Sequence, residues 1–292
     1  MFWQLSLNAI AGASAVIPLT IGCAIVYWIN GFFDFALGAS FIGSVYCSWV
    51  LKNGCGLSLG AAIPLGVGVG ALFALLTEAW AYRPLRNKRS STLFAMLASL
   101  GIYIVVQNFI SLLFGDSTKS LRLGPVQAGI RILGGRITKA QVLCVVGSLC
   151  VIGGLILLQA LTRAGKVLRA IANDATLAII VGITADKWKL IAHALAGGLA
   201  GLSGIFMAMN VDVSPTLGMG AFLAATVAVV IGGFGSIPGV ALGAALIAFA
   251  NQFGVWKLST QWQGCATFII LLAFMILRPQ GFSGRPIGKV AV

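Results

Sequence analysis

Runs of about twenty apolar residues recur along this chain of 292 residues and restrict it to one kind of fold. As a helix rising 1.5 Å per residue, such a run spans the roughly 30 Å hydrocarbon core of a bilayer. Nine runs can be marked, at about 5–28, 35–51, 59–81, 92–114, 140–161, 190–209, 222–231, 240–252 and 265–277. Charged residues make up 9% and hydrophobic ones 59%, which leaves too little polar surface to cover a soluble fold of this size. The ten-residue alternating segments of a transmembrane β-barrel are absent. The sequence therefore predicts an all-α polytopic membrane helical bundle of about nine spans, with residues 1–292 forming a single transmembrane domain. Residues 1–8 lack a basic n-region, so the first run is read as a retained helix, kinked at Pro18 and Gly22. The runs at 222–231 and 240–252 are short, and a dip-and-return pair is an alternative to two full crossings there. Alternation around Val126 to Leu133, in the polar connection 115–139, suggests a small hairpin.

The net charge of +13 follows from the rule that Lys and Arg hold loops on the cytoplasmic side; nucleic-acid binding is not needed to explain it. With the N-terminus outside and the C-terminus cytoplasmic, the inner loops carry twelve basic residues, among them Arg83, Arg86, Lys88, Arg89, Arg285 and Lys289. The outer loops carry seven, five of them in the 115–139 connection, Arg122 included. This orientation puts residues 163–189 in the cytoplasm. That stretch is a semi-polar island between long apolar runs, holding Lys166, Arg169, Asn173, Asp174, Asp186, Lys187 and Lys189. It is too polar to cross a bilayer and too apolar for a solvated loop. A short surface helix pair awaiting a partner fits it, with an interfacial helix lying on lipid as the alternative.

Catalysis finds no footing. The single histidine, His193, excludes paired-histidine metal motifs, and neither a Gly-x-Ser-x-Gly nor a Walker motif is present. No catalytic and no metal-ligating residue is assigned, and no cofactor belongs to this chain. His193 is read as a packed or interface residue near the membrane surface. The six cysteines form no Cys-x-x-Cys pair and are read as buried small hydrophobes. The absence of a central intramembrane Lys or Arg speaks against a strongly anionic cargo.

A few polar groups remain in or beside the spans. Asp34 is either a pathway or interhelix hydrogen-bonding residue, or a helix cap before Phe35. Glu78 is read as pairing with a nearby base. Gln107 and Asn108, in mid-span, either bridge helices or contact substrate. Gly66, Gly68 and Gly70, and the pairs Gly197/Gly201 and Gly239/Gly243, have spacings that let helices approach closely in lipid.

Five segments occur in order: Tyr82-Arg83-Pro84-Leu85-Arg86; Leu100-Gly101-Ile102 with Gln107-Asn108; Arg169-Ala170 through Gly182-Ile183; Gly232-Gly233-Phe234-Gly235-Ser236-Ile237-Pro238-Gly239; and Arg278-Pro279-Gln280-Gly281. Together, over residues 5 to 286, they resemble the permease subunits of branched-chain amino-acid type ABC importers, a family that also includes urea and amide permeases. The resemblance implies a multi-pass protein of the bacterial cell inner membrane that works by alternating access. It implies a homologous second permease, as a heterodimer in preference to a homodimer. It further implies two ATP-binding subunits that hold ATP and Mg, and a periplasmic substrate-binding protein. Within the island, it implies ATPase coupling through Arg169, Asn173, Asp174, Ala178, Gly182, Asp186 and Lys187. Gly232, Gly233, Gly235, Pro238 and Gly239 are then a gating or packing turn, and Asp34, Leu37, Gln107 and Asn108 the candidate substrate pathway. The implied cargo is a small polar solute, an amino acid first and urea or short amides second; a self-sufficient secondary transporter or channel is the remaining alternative. One departure is that the family's Asn-Phe-Ala-His-Gly is here Asp34-Phe35-Ala36-Leu37-Gly38, which puts the branched-chain substrate in question.

Overall fold

The structure is a computed structural model that describes residues 2–88, 90–121, 129–132, 135–233, 235–257, 263–278 and 281–282. Arg89, Arg122, Val126, Phe234, Pro279, Gln280, Arg285 and Lys289 lie outside the described residues. Among the described residues, each of the nine apolar runs is a helix. These helices are α1 (Phe2–Asn30), α2 (Ala36–Asn53), α3 (Leu59–Thr77), α5 (Thr92–Phe114), α6 (Lys139–Leu161), α9 (Ala185–Asn210), α10 (Leu217–Gly232), α11 (Ile237–Lys257) and α12 (Gln263–Leu277). A π turn, Glu78–Tyr82, joins α3 to α4 (Arg83–Asn87), so that 59–87 is one long helix. The polar island forms α7 (Arg163–Asn173) and α8 (Ala175–Ile180).

Six of these helices are long and apolar enough to cross a membrane: those at 2–30, 59–87, 92–114, 139–161, 185–210 and 237–254. The eighth run is thus longer than its apolar stretch indicates. It starts at Ile237, because Pro238 fits the first turn of a helix, where no N–H partner is needed. The expected hairpin overlaps a pair in which β1 (Ile130–Ile132) is antiparallel to β2 (Gly135–Ile137), with Arg131 opposite Arg136; Val126 and Leu133 lie outside the described residues. The side-chain amide of Gln4 ties the start of α1 to this hairpin, donating to Arg136 O at 2.9 Å and accepting from Arg136 N at 2.7 Å. Pro18 lies within α1, whose helical assignment is unbroken.

Helix α1 is apolar on every face and lies at the centre; 83% of its most apolar stretch is buried, against 17% for α5 and for α6. Helix α9 packs across it, with Ser203 donating to Ala15 O at 2.6 Å. Small residues set the closeness of the central crossings. A methyl group on Gly70 would stand 2.7 Å from Gly197 O, and one on Gly197 would stand 2.4 Å from Gly70 O. Gly66 and Gly70 therefore face α2 and α9, whereas Gly68, two residues out of phase, meets nothing within 4 Å. Helices α5 and α6 turn leucine, isoleucine and phenylalanine side chains outward, a surface suited to lipid.

Candidate functional site

Where the chain leaves α1 it turns a corner into α2, and Asp34 sits in that corner almost fully buried. Its Oδ1 accepts from Ala36 N at 2.9 Å and from the Tyr82 hydroxyl. Asp34 thus both holds the turn into α2, through Ala36 N, and bonds across to another helix through Tyr82. Burial pushes its carboxyl above the ordinary range, while nearby His193 and the Tyr82 hydroxyl pull the other way.

Tyr82 reaches the corner from the π turn, a geometry common where a helix carries a functional site. Its ring lies 5.6 Å from that of His193, centroid to centroid. His193 itself is wholly buried. Its Nδ1 lies 2.9 Å from Lys189 O, and because a carbonyl only accepts, Nδ1 carries the proton. Nε2 lies 3.1 Å from the side-chain amide of Asn30. The same nitrogen lies 3.5 Å from Glu78 Oε2 and 3.9 Å from Asp34 Oδ2. Neither of these carboxylate oxygens accepts a hydrogen bond among the described residues.

Glu78 finds the basic partner expected of it in Arg86, two turns on. Arg86 Nη2 lies 2.9 Å from Glu78 Oε1 and 2.9 Å from Asp186 Oδ1, at the start of α9. Arg83 Nε adds a looser pairing with Asp186, at 3.8 Å and half exposed. An unbroken set of polar contacts therefore runs from Asp186 through Arg86, Glu78 and His193 to Asp34. Beside it opens a cleft of about 290 Å³, lined by residues that include Asn30, Tyr82, Arg86, Ser91 and Lys189.

The island precedes this set directly. Helix α7 begins with Thr162 Oγ1 accepting from Gly165 N at 3.1 Å. Val167, Leu168 and Ile171 pack on the core, while Arg163, Lys166, Arg169 and Asn173 face out. The Arg169 guanidinium donates to Gln159 O at 3.2 Å, and Asp174 Oδ1 accepts from Leu177 N at 3.0 Å. In α8, Ala178 is buried, but Leu177, Ile179, Ile180 and the following Val181 are 59–79% exposed. Gly182 ends this helix. Its φ of +89° allows Gly182 N to bond Ile179 O and Ile183 N to bond Ala178 O, the paired bonds of a Schellman stop. The sequence pattern that ends on Gly182 thus has a backbone cause. Asp186 is half exposed and Lys187 is exposed.

The glycine-rich turn lies between α10 and α11. A methyl group on Gly232 would stand 2.5 Å from both Gly239 O and Val240 Cα, so backbone meets backbone there. Gly233 and Gly235 hold positive φ, Pro238 is exposed and Gly239 is buried. Phe282 N bonds Ile231 O at 3.0 Å, which brings the chain after α12 onto this turn.

The candidate pathway residues do not converge. Leu37 is fully buried beside Asp34 on the first turn of α2. Gln107 and Asn108 lie on the peripheral α5, and Asn108 Nδ2 bonds its own helix at Ile104 O, 2.7 Å away. Reading the residues one at a time missed Tyr82 and His193 as partners of Asp34. Their signal is a pair of polar residues four apart near the end of each of two apolar runs: Glu78 with Tyr82, and Lys189 with His193.

Comparison with known proteins agrees with this architecture. The family model described as branched-chain amino acid transport system / permease component matches residues 6–276. The high-affinity branched-chain amino acid transport system permease protein LivH of Escherichia coli (strain K12) is 27% identical over 300 residues, covering 98% of this chain and 96% of LivH. BraD of Pseudomonas aeruginosa, of the same description, is 28% identical with the same coverage. The ribose import permease protein RbsC of Escherichia coli (strain K12) is 26% identical, covering 94% of this chain and 83% of RbsC. Among solved structures, PsaBC from Streptococcus pneumoniae in complex with Fab matches with a TM-score of 0.50 at 14% identity, covering 92% of this chain and 89% of that one. That last likeness bears on the fold alone. The chain is a multi-pass transport permease rather than an enzyme, and it belongs to the branched-chain amino acid transport permease family.

Proposed function

We propose that this permease is the membrane-spanning subunit of an ATP-driven ABC importer in the bacterial inner membrane. It moves a small neutral amino acid, branched-chain in class, by alternating access. All nine apolar helices cross or line the membrane, with the N-terminus outside and the C-terminus cytoplasmic. The observation that carries the reading is the α7–α8 knuckle, whose exposed Leu177, Ile179, Ile180 and Val181 are flanked by Arg163, Lys166, Arg169 and Lys187. An apolar tip with a basic surround can fill a groove on a soluble partner while its charges set orientation. The chain has no nucleotide-binding motif, so the energy source attaches from outside, and this knuckle is where it attaches.

In this reading Arg169, Asn173, Asp174, Ala178, Gly182, Asp186 and Lys187 form the coupling segment, within 163–189, for two ATP-binding subunits that hold ATP and Mg. A homologous second permease completes the pathway as a heterodimer, and a periplasmic binding protein delivers the cargo. Asp34 and Leu37, both buried, shape the pathway from within the α1–α2 corner, and Gln107 and Asn108 contribute to it across the permease pair. The α10–α11 turn, with Gly232, Gly233, Gly235, Pro238 and Gly239, is the packed pivot.

Reconstitution in proteoliposomes tests this. Leucine uptake is expected only when the permease pair, the ATPases and the binding protein are all present, and neutral amino acids rather than urea or ribose should compete. Uptake by this chain alone would support a self-sufficient channel or secondary transporter instead.

A further inference from the structure

The polar contacts between Asp186 and Asp34 join two parts of the chain that the proposed function uses separately. At one end, only residues 181–184 separate α8 from α9, and Asp186 lies on the first turn of α9. At the other end is the α1–α2 corner with Asp34 and Leu37. Three elements meet between them: the π turn with Glu78 and Tyr82, α4 with Arg86, and α9 with His193.

We propose that Asp186, Arg86, Glu78 and His193 are positioning residues that link displacement of the coupling segment to displacement of the α1–α2 corner, so that the two occur as one event. The proposal rests on reading α7–α8 as the ATPase-docking segment.

The physical reason is the burial of the linking charges. Glu78 and His193 are wholly shut off from solvent, and Asp34 nearly so. Pulling any one of them from its partner strands a charge or a lone pair in apolar surroundings, which is costly. The elements that carry them therefore shift together. Arg86 holds the joint to α9, because one nitrogen, Nη2, lies 2.9 Å from both the buried Glu78 and the outer Asp186. A pull on Asp186 is thus felt at Glu78, and through His193 at Asp34. Space for such a shift exists, since the cleft of about 290 Å³ separates Arg86, Tyr82 and Lys189 from the first turn of α5 at Ser91, Thr92 and Ala95. The corner itself turns through Gly31, at a φ of +76°, with open space around it. A set that served only to hold the fold together would affect the yield of assembled complex. A linking set also affects how much solute moves for each ATP consumed.

The experiment uses the full complex in proteoliposomes and reads solute transported per ATP hydrolysed. Glu78→Gln, a buried change away from the coupling segment, is expected to lower this ratio by about fivefold or more, the scale of ordinary coupling between sites, while the ATPases stay bound and active. Glu78→Asp, which keeps the charge, should restore the ratio to within about twofold of the unmodified complex. If Glu78→Gln assembles poorly, His193→Gln carries the test, since it keeps a polar side chain there and removes the ring. An unchanged ratio in the assembled variant complexes would overturn the linkage alone. Full retention of the ATPases by an Arg169→Glu variant would overturn the docking reading and the linkage with it.

Discussion

His193 Nε2 stands 3.5 Å from Glu78 Oε2, and neither side chain has any contact with solvent. Two buried groups in this position depend on Arg86, which supplies the positive charge facing Glu78 at 2.9 Å. Arg86→Ala would leave the Glu78 carboxylate uncompensated. The expected loss is about 3 kcal/mol, read as a lowered midpoint of thermal unfolding in detergent. Arg83→Ala removes only a half-exposed pairing and should cost well under about 1 kcal/mol in the same assay.

Asp34 sets a pH dependence. Burial raises its carboxyl from the ordinary 3.8, so the protonated form is favoured more in the folded protein than in the unfolded chain. The sign follows from linkage. The stabilisation from this group is complete below its unfolded value and is lost as pH rises through the raised folded value. Asp34→Asn mimics the protonated form. The stability of Asp34→Asn relative to the unmodified protein should therefore rise as pH increases from about 4 through that value. A difference that stays flat across the same pH series would count against this account.

Gly182 should tolerate one substitution and refuse another. Asparagine accepts positive φ and can preserve the Schellman stop, whereas valine there costs about 1–2 kcal/mol or more of local strain. Gly182→Val is expected to insert normally yet co-purify with several-fold less ATPase, while Gly182→Asn keeps most of it. Quantified pull-down from membranes distinguishes the two outcomes.

The α10–α11 crossing has no room for a methyl group. Gly232→Ala drives Cβ onto Gly239 O and Val240 Cα, both backbone atoms, and should cost about 1–3 kcal/mol. Gly68→Ala is the matched control. Its methyl group meets nothing within 4 Å, and the helix gains about 0.5–1 kcal/mol of propensity. Unfolding midpoints of the two variants should move in opposite directions.

The fold was legible because membrane helices write their length into composition. Each apolar run became a helix, Gly197 and Gly201 faced inward as their spacing of four implied, and in the cluster of Gly66, Gly68 and Gly70 only the first and third did so. The α11 boundary was misplaced because Pro238 reads as a breaker unless the first-turn position is considered. The site was legible only in parts. Asp34 and Glu78 stood out as acids among apolar residues, and the island stood out by its polarity. Their meeting with Tyr82 and His193 did not, because 163 residues separate Asn30 from His193 and nothing local pairs them. The role of Asn108 was not legible for a different reason. A mid-span amide can satisfy itself on its own helix, as this one does at Ile104 O.

The π turn at Glu78–Tyr82 bears on what changes of chain length this span can absorb. Arg83 N bonds Glu78 O, five residues back, so the helix here holds one residue more than α geometry requires. Deleting a residue inside 78–82 lets the span relax to plain α-helix while both flanks keep their rotational phase. A deletion in 59–77 has no such slack, and everything after it swings by about 100° about the axis, taking Arg86 off Asp186 and Glu78 off His193. This stretch is therefore a spare link, where the span can shorten by one residue and still present the same faces above and below.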